Sequence, residues 1–515
     1  MGFLRDGNTA RALPYPEPEF PDKDTEVSPS PVQEQPHHTA RLEPTDWVVA
    51  AVLTLSVSIA CFFIAESIPA FLLQSMDFWF ESDTVREVSN MTSTTDDHSR
   101  TSVHPLFSIL SFVPVYLVQH ALAIPPLQAV LYVTSILGGL WMGTLYLLLR
   151  LLGCRTLDAS VFTSLGLSSA SAIFWLPVPN SYTWGSWSVM ISLALLLLAE
   201  QHRVGALSYV LASAFTLSIT VTNWMAGLLT TLARWPFKQA VQLSINAFCL
   251  VVLLWGAQKF IFPSAEFFIG SRKEANWINH PQSGQASNIA SSFAFHTFIA
   301  PAIRFIDDDG YIQVGDDSVR LAQRLAFQFS TPGSAGPLGL IAVCLWSALL
   351  LNGLWRLVTM DRQLRFRLVL ATLLLFELSL HMVYGEETFT YSLNFTPLLI
   401  ALAALGTLSP GRPAVLVLAG LLALCAGINN WQQFRQATES ATHFTPQRDA
   451  MNSLMQNDPD RPWPRSVGHI PLAVPGAPEA EHAYHEPGGD FSPQAPSFGV
   501  SLWLCDAEGR PLVTS

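Results

Sequence analysis

A loop rich in acids, arginines and histidines follows the first long apolar segment of this 515-residue chain. Carboxylates, arginines and histidines in such a loop can supply acid, base and cation chemistry. The loop therefore predicts that the protein handles a polar substrate there, either by transforming it or by moving it. Its candidate residues are Asp83, Arg86, His98, Arg100 and His104.

These residues also have structural interpretations. Asp83 follows a serine and precedes Thr-Val-Arg, which is typical of a helix N-terminus, so it could be a cap. His104 precedes a proline and could simply begin a helix. Asp96 and Asp97, next to His98, could bind a divalent cation, although adjacent acids in a polar loop are usually only solvated. A divalent cation is the one cofactor that the sequence leaves open.

Composition places this loop in a membrane protein. Half of the residues are hydrophobic and only 13% are charged, and the apolar runs are long enough to cross a hydrocarbon core of ~30 Å. The net charge of −12 argues against nucleic acid as a partner, because phosphate-binding surfaces need clustered Lys and Arg. The six cysteines show no disulfide framework and no metal-ligand spacing. We predict an all-α polytopic membrane protein.

The positions of Arg and Lys indicate which apolar segments cross, because basic residues collect on the cytoplasmic side. The basic residues beside span ends run from Arg150 to Arg412. If the N-terminus is cytoplasmic and segment 105–122 does not cross, all of them face the cytoplasm. If that segment crosses, all of them face outward. This segment begins with His-Pro and contains Pro114, which is typical of a helix lying in the membrane interface. About eleven transmembrane helices remain: 47–74, 126–149, 157–176, 183–200, 204–221, 222–235, 239–261, 337–358, 367–384, 391–408 and 413–430.

This topology predicts the domain organisation. Residues 1–45, rich in Pro and acids and without an apolar segment, are predicted to form a disordered cytoplasmic tail. The transmembrane domain covers 46–430 and carries two external loops, 75–125 with juxtamembrane helices and 262–336. Residues 431–515 form an external C-terminal region, in which two strand-like runs predict a small β or α/β element.

A second external segment combines acids with aromatic rings at the membrane boundary. Glu386 and Glu387 can accept hydrogen bonds from sugar hydroxyls, and the ring of Tyr391 can stack on a sugar face. The alternative interpretation is a polar turn with the belt aromatics that membrane proteins use routinely. These residues are predicted to contact substrate.

The order of these features resembles the GT-C superfamily of integral-membrane glycosyltransferases, which includes protein O-mannosyltransferases and lipid A aminoarabinose transferases. In that family, the first loop carries an acidic motif and, later, a basic residue with Pro-Pro-Leu. Here the matching positions are Asp83 and the His-Pro-Leu that begins at His104, while Thr84 replaces a second acid and only one proline is present. The resemblance covers 47–430 as architecture and the first loop as motif.

The resemblance implies an activity and a location. It implies that a sugar moves from a polyprenyl-phosphate-linked donor to a glycan, lipid or protein acceptor on the extracytoplasmic side, with Asp83 as general base. The basic residues Arg86, His98, Arg100 and His104 would bind the donor phosphate. Lysine is scarce beside arginine, which favours a bacterial inner membrane. The N-terminus would be cytoplasmic and the C-terminus extracytoplasmic.

Two other classes of protein fit parts of the sequence. A transporter or flippase of a lipid-linked or polar substrate would place ionisable residues inside its spans and repeat its broken helices. Glu66, Glu377 and His381 are the main residues of this kind, and no internal repeat is visible. A polysaccharide ligase or a non-catalytic assembly subunit would also carry a large external loop. The early position of the acidic motif favours the transferase.

Overall fold

The computed structural model of the chain describes residues 42–73, 75–76, 78–270, 278, 284–307, 311–314, 317–320 and 323–442. The predicted N-terminal tail and the predicted C-terminal β element lie outside the described residues. The described helices are α1 (Pro44–Ser67), α2 (Ala70–Leu73), α3 (Thr84–Thr92), α4 (Phe107–Leu122), α5 (Pro126–Leu151), α6 (Thr156–Leu167), α7 (Ala170–Trp175), α8 (Ser181–Gln201), α9 (Ala206–Ile219), α10 (Trp224–Arg234), α11 (Phe237–Ile261), α12 (Ala286–Ser291), α13 (Pro337–Thr359), α14 (Leu364–His381), α15 (Ser392–Ala404) and α16 (Arg412–Thr442).

The mostly helical architecture is confirmed, and the length and composition of the helices are compatible with a membrane protein. Proline begins α1, α5 and α13, where its missing N–H costs nothing and its fixed φ suits the first helical residue. Seven segments of the described chain are long and apolar enough to cross a membrane, so the count of about eleven is not confirmed by this criterion. The seven are Pro44–Ser67, Pro126–Leu151, Ser181–Gln201, Phe237–Ile261, Pro337–Thr359, Thr388–Leu408 and Arg412–Ser440.

Contacts between helix termini define two ends of the helical bundle. We call the first the Asp46 end: Arg150, in the last turn of α5, donates to Asp46 in the first turn of α1 at 2.6 Å. Gln363, which precedes α14, donates at 2.7 Å to the carbonyl of Leu152. The termini of these three helices therefore meet at one end of the bundle.

The opposite end, the Phe80 end, is held by buried aromatic rings. Phe80 lies 4.6 Å from Phe327 and 5.5 Å from Phe174 between ring centroids, and Phe327 lies 4.7 Å from Phe389. Trp175 donates from its ring nitrogen to the Phe389 carbonyl at 3.1 Å. Such ring pairs each contribute about 0.5–1.5 kcal/mol beyond their burial, so they fix the point at which the first loop leaves the bundle.

Two shorter helical passages also run between these ends. The first passage consists of α6 and α7, with a break at residues 168–169. It begins next to the Asp46 end and reaches Trp175 at the Phe80 end. The second is α14, which begins after Gln363 and ends at His381, whose ring stacks on Tyr391 at 5.0 Å. Neither passage is among the seven long apolar segments. Each nevertheless has one terminus at the Asp46 end and the other at the Phe80 end.

The helices α9 and α10 are two further passages, which run in opposite directions. Tyr209 of α9 packs against Trp235 after α10 at 5.9 Å, and Tyr209 lies within electrostatic range of Arg365 near the Asp46 end. At their other termini, the Ile219 carbonyl of α9 lies 2.9 Å from the Nδ1 atom of His104 in the first loop. The α9 and α10 helices thus extend from one end of the bundle towards the other.

Segment 105–122 forms the apolar helix α4, which is shorter than the seven long segments. Its side chains at Val113, Tyr116, Leu117 and Leu122 are 45–60% exposed, which suits contact with lipid. Its placement in the interface stays a prediction.

Five short strands were not predicted from the sequence: β1 (Ser75–Met76), β2 (Arg304–Asp307), β3 (Tyr311–Val314), β4 (Asp317–Arg320) and β5 (Gln323–Ala326). The order β1-β3-β4 makes one antiparallel sheet, and β2 pairs with β5. Four of them lie in the segment 262–336 that was predicted as loop. Strands of at most four residues are too short for alternation of apolar and polar side chains to be recognised.

Candidate functional site

A strained turn aims the first loop towards α3. Phe80 and Glu81 have φ values of +51° and +59°, a left-handed conformation that residues other than glycine rarely adopt. Phe80 is held in the aromatic core, and Glu81 forms an ion pair with Arg324 and accepts a hydrogen bond from the Glu387 amide at 2.8 Å. Together these contacts hold the turn in its strained conformation.

Asp83, Arg86, Arg100 and His104 line one small, partly open cavity with a volume of about 10 Å³, which is room for about one water molecule. Four of the five residues that the sequence singles out in the first loop therefore come together in the fold. The rest of the described lining consists of Glu87, Asn90, Thr101, Phe107 and Ser108. The cavity lies where α3, the helical turn 99–102 and the start of α4 meet.

Asp83 is a cavity carboxylate that is paired with an arginine. It occupies the residue before α3, as the capping interpretation predicts, but its side chain makes no capping hydrogen bond to the described helix. Instead it forms an ion pair with Arg86, one turn along α3, and 24% of its side chain is exposed. The carboxylate is therefore held by a cation and partly exposed.

Glu87 is a lining residue that the sequence analysis missed. It lies one turn after Asp83 on α3 and is 8% exposed, and its Oε2 atom has no hydrogen-bond partner among the described residues. Burial raises the pKa of the Glu87 carboxyl, although Ser181 and the charges of Arg86 and Arg100 act in the opposite direction. Its spacing from Asp83, at i and i+4, is the sequence signal that could have found it.

His104 reaches the cavity as a neutral ring. Its Nδ1 lies 2.9 Å from the Ile219 carbonyl and 3.1 Å from the Thr220 hydroxyl, so Nδ1 carries the proton and donates it to the carbonyl. Burial and the charges of Arg100 and Arg86 lower the pKa of His104 to about 3. The positive charge in the cavity therefore comes from the two arginines at neutral pH, while His104 offers the acceptor Nε2.

His98 lies outside the described lining of the cavity. It is fully buried, with Nδ1 2.8 Å from the Ser108 hydroxyl and Nε2 3.1 Å from the Ser93 carbonyl. Its ring packs 4.5 Å from that of Phe262 after α11, and burial lowers the pKa of the imidazole. These contacts fasten the loop to its neighbours, so a phosphate contact by His98 stays a prediction without geometric support.

Glu386 and Glu387 hold protein segments together at the Phe80 end. Glu386 lies 3.3 Å from Arg324, and Glu387, only 1% exposed, accepts hydrogen bonds from the Phe327 and Gln328 amides at 3.3 and 3.2 Å. Burial raises the pKa of Glu387 to about 7, although the charge of Arg324 acts in the opposite direction. Both carboxylates thus have internal partners, and their predicted contact with a sugar remains untested.

Tyr391 connects this segment with the cavity. Its ring packs edge-on against that of Tyr182, at the start of α8, with centroids 5.5 Å apart. Tyr182 in turn lies within electrostatic range of Glu87, Arg86 and Arg100. The two segments that the sequence predicts to be external are therefore neighbours in space.

The candidate cation ligands in the first loop have local partners. Asp97 accepts hydrogen bonds from the amide and the hydroxyl of Ser99 at 2.8 and 3.1 Å, and Asp96 accepts from Ser89 at 2.5 Å. Within the described parts of the chain, no group of three or more His, Cys, Asp or Glu side chains could hold a metal ion. A divalent cation stays a prediction.

Comparison with known proteins found no match among family models, curated proteins or solved structures. The geometry of the cavity and the sequence are therefore the basis for inferring a function.

Proposed function

We propose that the protein is a membrane glycosyltransferase of the GT-C type, which moves a sugar from a polyprenyl-phosphate-linked donor to a glycan, lipid or protein acceptor. The observation that supports this most directly is the cavity in which Asp83 meets Arg86 and Arg100. Glycosyl transfer from a phosphate needs one carboxylate to accept a proton and cations to hold the departing phosphate. This cavity contains both kinds of group.

In this proposal Asp83 is the general base and the two arginines bind the phosphate. Arg86 holds the Asp83 carboxylate in position before the donor arrives, and its positive charge can attract a phosphate oxygen. Arg100 supplies a second charge from the other wall of the cavity. The acceptor hydroxyl would lie against Asp83, on the open side of the ion pair.

The proposal includes a topology of about eleven crossings in the bacterial inner membrane, with a cytoplasmic N-terminus and an extracytoplasmic C-terminus. It is supported by α6–α7, α9, α10 and α14, whose contacts reach towards both ends of the bundle as those of the long helices do. With these four passages added to the seven long segments, the Asp46 end faces the cytoplasm. The cavity then opens at the extracytoplasmic side, where a lipid phosphate lies.

Purified protein in lipid nanodiscs tests the activity. The probes are undecaprenyl-phosphate hexoses and pentoses with radiolabelled sugars, with solubilised bacterial envelope material as the acceptor source. We expect label to move with wild-type protein, and Asp83→Asn to lower the rate by about 10²- to 10⁴-fold. Glu439→Gln, at an exposed carboxylate of α16, is the control and should keep the full rate. Undiminished transfer by Asp83→Asn would rule out Asp83 as the base.

Transport of a lipid-linked or polar substrate is the second candidate function, because α14 contains a buried ionisable pair. Glu377 and His381 are 4% and 3% exposed, and their side chains approach to 3.8 Å. Buried ionisable residues in apolar helices often mark substrate or proton pathways. A transporter predicts that Glu377→Gln blocks movement of labelled undecaprenyl-phosphate sugar across proteoliposome membranes and that Asp83→Asn does not. A transferase predicts that Asp83→Asn blocks sugar transfer and that Glu377→Gln does not.

A further inference from the structure

The cavity holds a second carboxyl group in an environment unlike that of the first. Asp83 is ion-paired with Arg86 and partly exposed, whereas Glu87 is buried and its Oε2 has no described partner. Two neighbouring carboxyl groups, one just before α3 and one on its first turn, are not both ionised cheaply in a buried site. Burial favours the protonated form of Glu87, whereas Asp83 is held in an ion pair with Arg86. Pairs of this kind are how proteins separate the roles of base and acid.

The charged and titratable groups around Glu87 come from each neighbouring element. Asp83 lies just before α3 and Arg86 lies on it, Arg100 and His104 follow in the first loop, and Tyr182 faces Glu87 from α8. Burial outweighs the two arginine charges, so the pKa of Glu87 is raised.

We propose that Glu87 is the general acid of the proposed glycosyl transfer and donates its proton to the leaving phosphate. This inference rests on the proposed function and names the proton donor of the same site. In the step, the acceptor oxygen forms a bond to the anomeric carbon while the bond from that carbon to the phosphate oxygen breaks. The acceptor proton goes to Asp83, the bonding electrons go to the phosphate oxygen, and the Glu87 proton follows them. Proton exchange with water then restores both carboxyl groups.

The other described lining groups are poor proton donors for this step. Arg86 and Arg100 do not deprotonate in proteins. His104 uses its Nδ1 proton in the hydrogen bond to Ile219, which leaves Nε2 as an acceptor. A carboxyl whose pKa is raised by burial keeps its proton to a higher pH than an ordinary glutamate does, and it can donate that proton to the leaving phosphate.

The test compares wild type with Glu87→Gln in nanodiscs, using the undecaprenyl-phosphate sugar that wild-type protein accepts. Glutamine keeps the shape of the side chain and an N–H group for hydrogen bonding, but it has no acidic proton to transfer. We expect undecaprenyl phosphate to bind within about threefold of wild type and the transfer rate to fall about 100-fold or more. The wild-type rate should decline at alkaline pH, and this decline should be absent in the residual activity of Glu87→Gln. Glu87→Asp, which restores a carboxylic acid, should recover part of the rate.

The remaining outcomes separate the two proposals. If wild-type protein transfers sugar and Glu87→Gln does so at a similar rate with the same alkaline decline, Glu87 is not the acid and the transferase stands. If Glu87→Gln loses phosphate binding together with the rate, Glu87 is a binding residue and the inference is wrong. If wild-type protein moves label from no donor in the panel, the proposed function fails and the role of Glu87 fails with it.

Discussion

Tyr182 and Tyr391 pack edge to face, with ring centroids 5.5 Å apart and planes at 78°. One ring belongs to the first turn of α8 and the other precedes α15, so more than 200 residues separate them in the chain. This contact places the segment with Glu386 and Glu387 beside the cavity of the first loop. Segment 385–391 is therefore a neighbour of the candidate site, whose described lining comes from residues 83–108.

Loss of an arginine from the cavity should weaken phosphate binding. We expect Arg100→Gln to raise the Kd for radiolabelled undecaprenyl phosphate about 10- to 100-fold, because hydrogen bonds to charged groups contribute about 1.5–3 kcal/mol. Arg435→Gln is the matched control, since this side chain is 65% exposed on α16. Equal affinities for the two variants would remove Arg100 from the phosphate site.

The ion pair at the Asp46 end should contribute strongly to stability. Asp46 is fully buried and accepts from Arg150 at 2.6 and 3.1 Å and from the Tyr146 hydroxyl at 3.0 Å. Asp46→Asn leaves the arginine charge uncompensated and should lower the free energy of unfolding by about 3 kcal/mol. Thermal and SDS-induced unfolding in detergent measure this. The exposed pair Arg435–Glu439 is the comparison, where Glu439→Gln should cost less than about 0.5 kcal/mol.

Glu387 should make stability depend on pH. Its pKa rises from 4.5 to about 7, so the folded protein holds this proton more tightly than the unfolded chain does. Its contribution is complete below pH 4.5 and is lost as pH rises through 7, a change of about 3 kcal/mol. Glu387→Gln should therefore unfold at a higher temperature than wild type at pH 8, with the difference vanishing near pH 4. An equal difference at both pH values would contradict a titrating Glu387.

Gly385 is required by its backbone conformation and by Tyr391. Its φ is +84°, and a Cβ atom there would come within 2.9 Å of the Tyr391 ring. Gly385→Ala should lower stability by about 1–2 kcal/mol through strain and displace the ring. Gly420→Ala, in the middle of α16 with no described atom within 4 Å of the added Cβ, should be neutral or stabilising. Unfolding temperatures of the two variants compare these effects directly.

The crossing of α9 can be tested with two fusions. Alkaline phosphatase, which is active only outside the cytoplasm, is fused after Arg203 and, separately, after Thr222 in a bacterial host. A topology of about eleven crossings predicts an inactive first fusion and an active second one. The same activity at both positions would mean that α9 does not cross, and the proposed count would be wrong.

The sequence predicts the helical membrane class and most of the helices because each depends on local signals. Apolar length marks α1, α5 and α11, and proline marks the start of α5. The number of crossings is harder to predict from the sequence, because a break separates α6 from α7 and because α10 is short. The strands β2 to β5 were missed because their partners and their burial come from the fold and not from local periodicity.

The residue types of the candidate site were determined by the sequence alone: an acid and several basic groups in the loop after the first apolar helix. Which of them meet was decided by the tertiary structure. Long-range packing against α9 and α11 directs His104 to the cavity and His98 away from it, through contacts with Ile219 and Phe262. Burial of Glu87 against α8 likewise has no local signature, because it depends on a neighbour about 90 residues away. Residue type is a property of the chain, whereas proximity and desolvation arise only when distant segments pack.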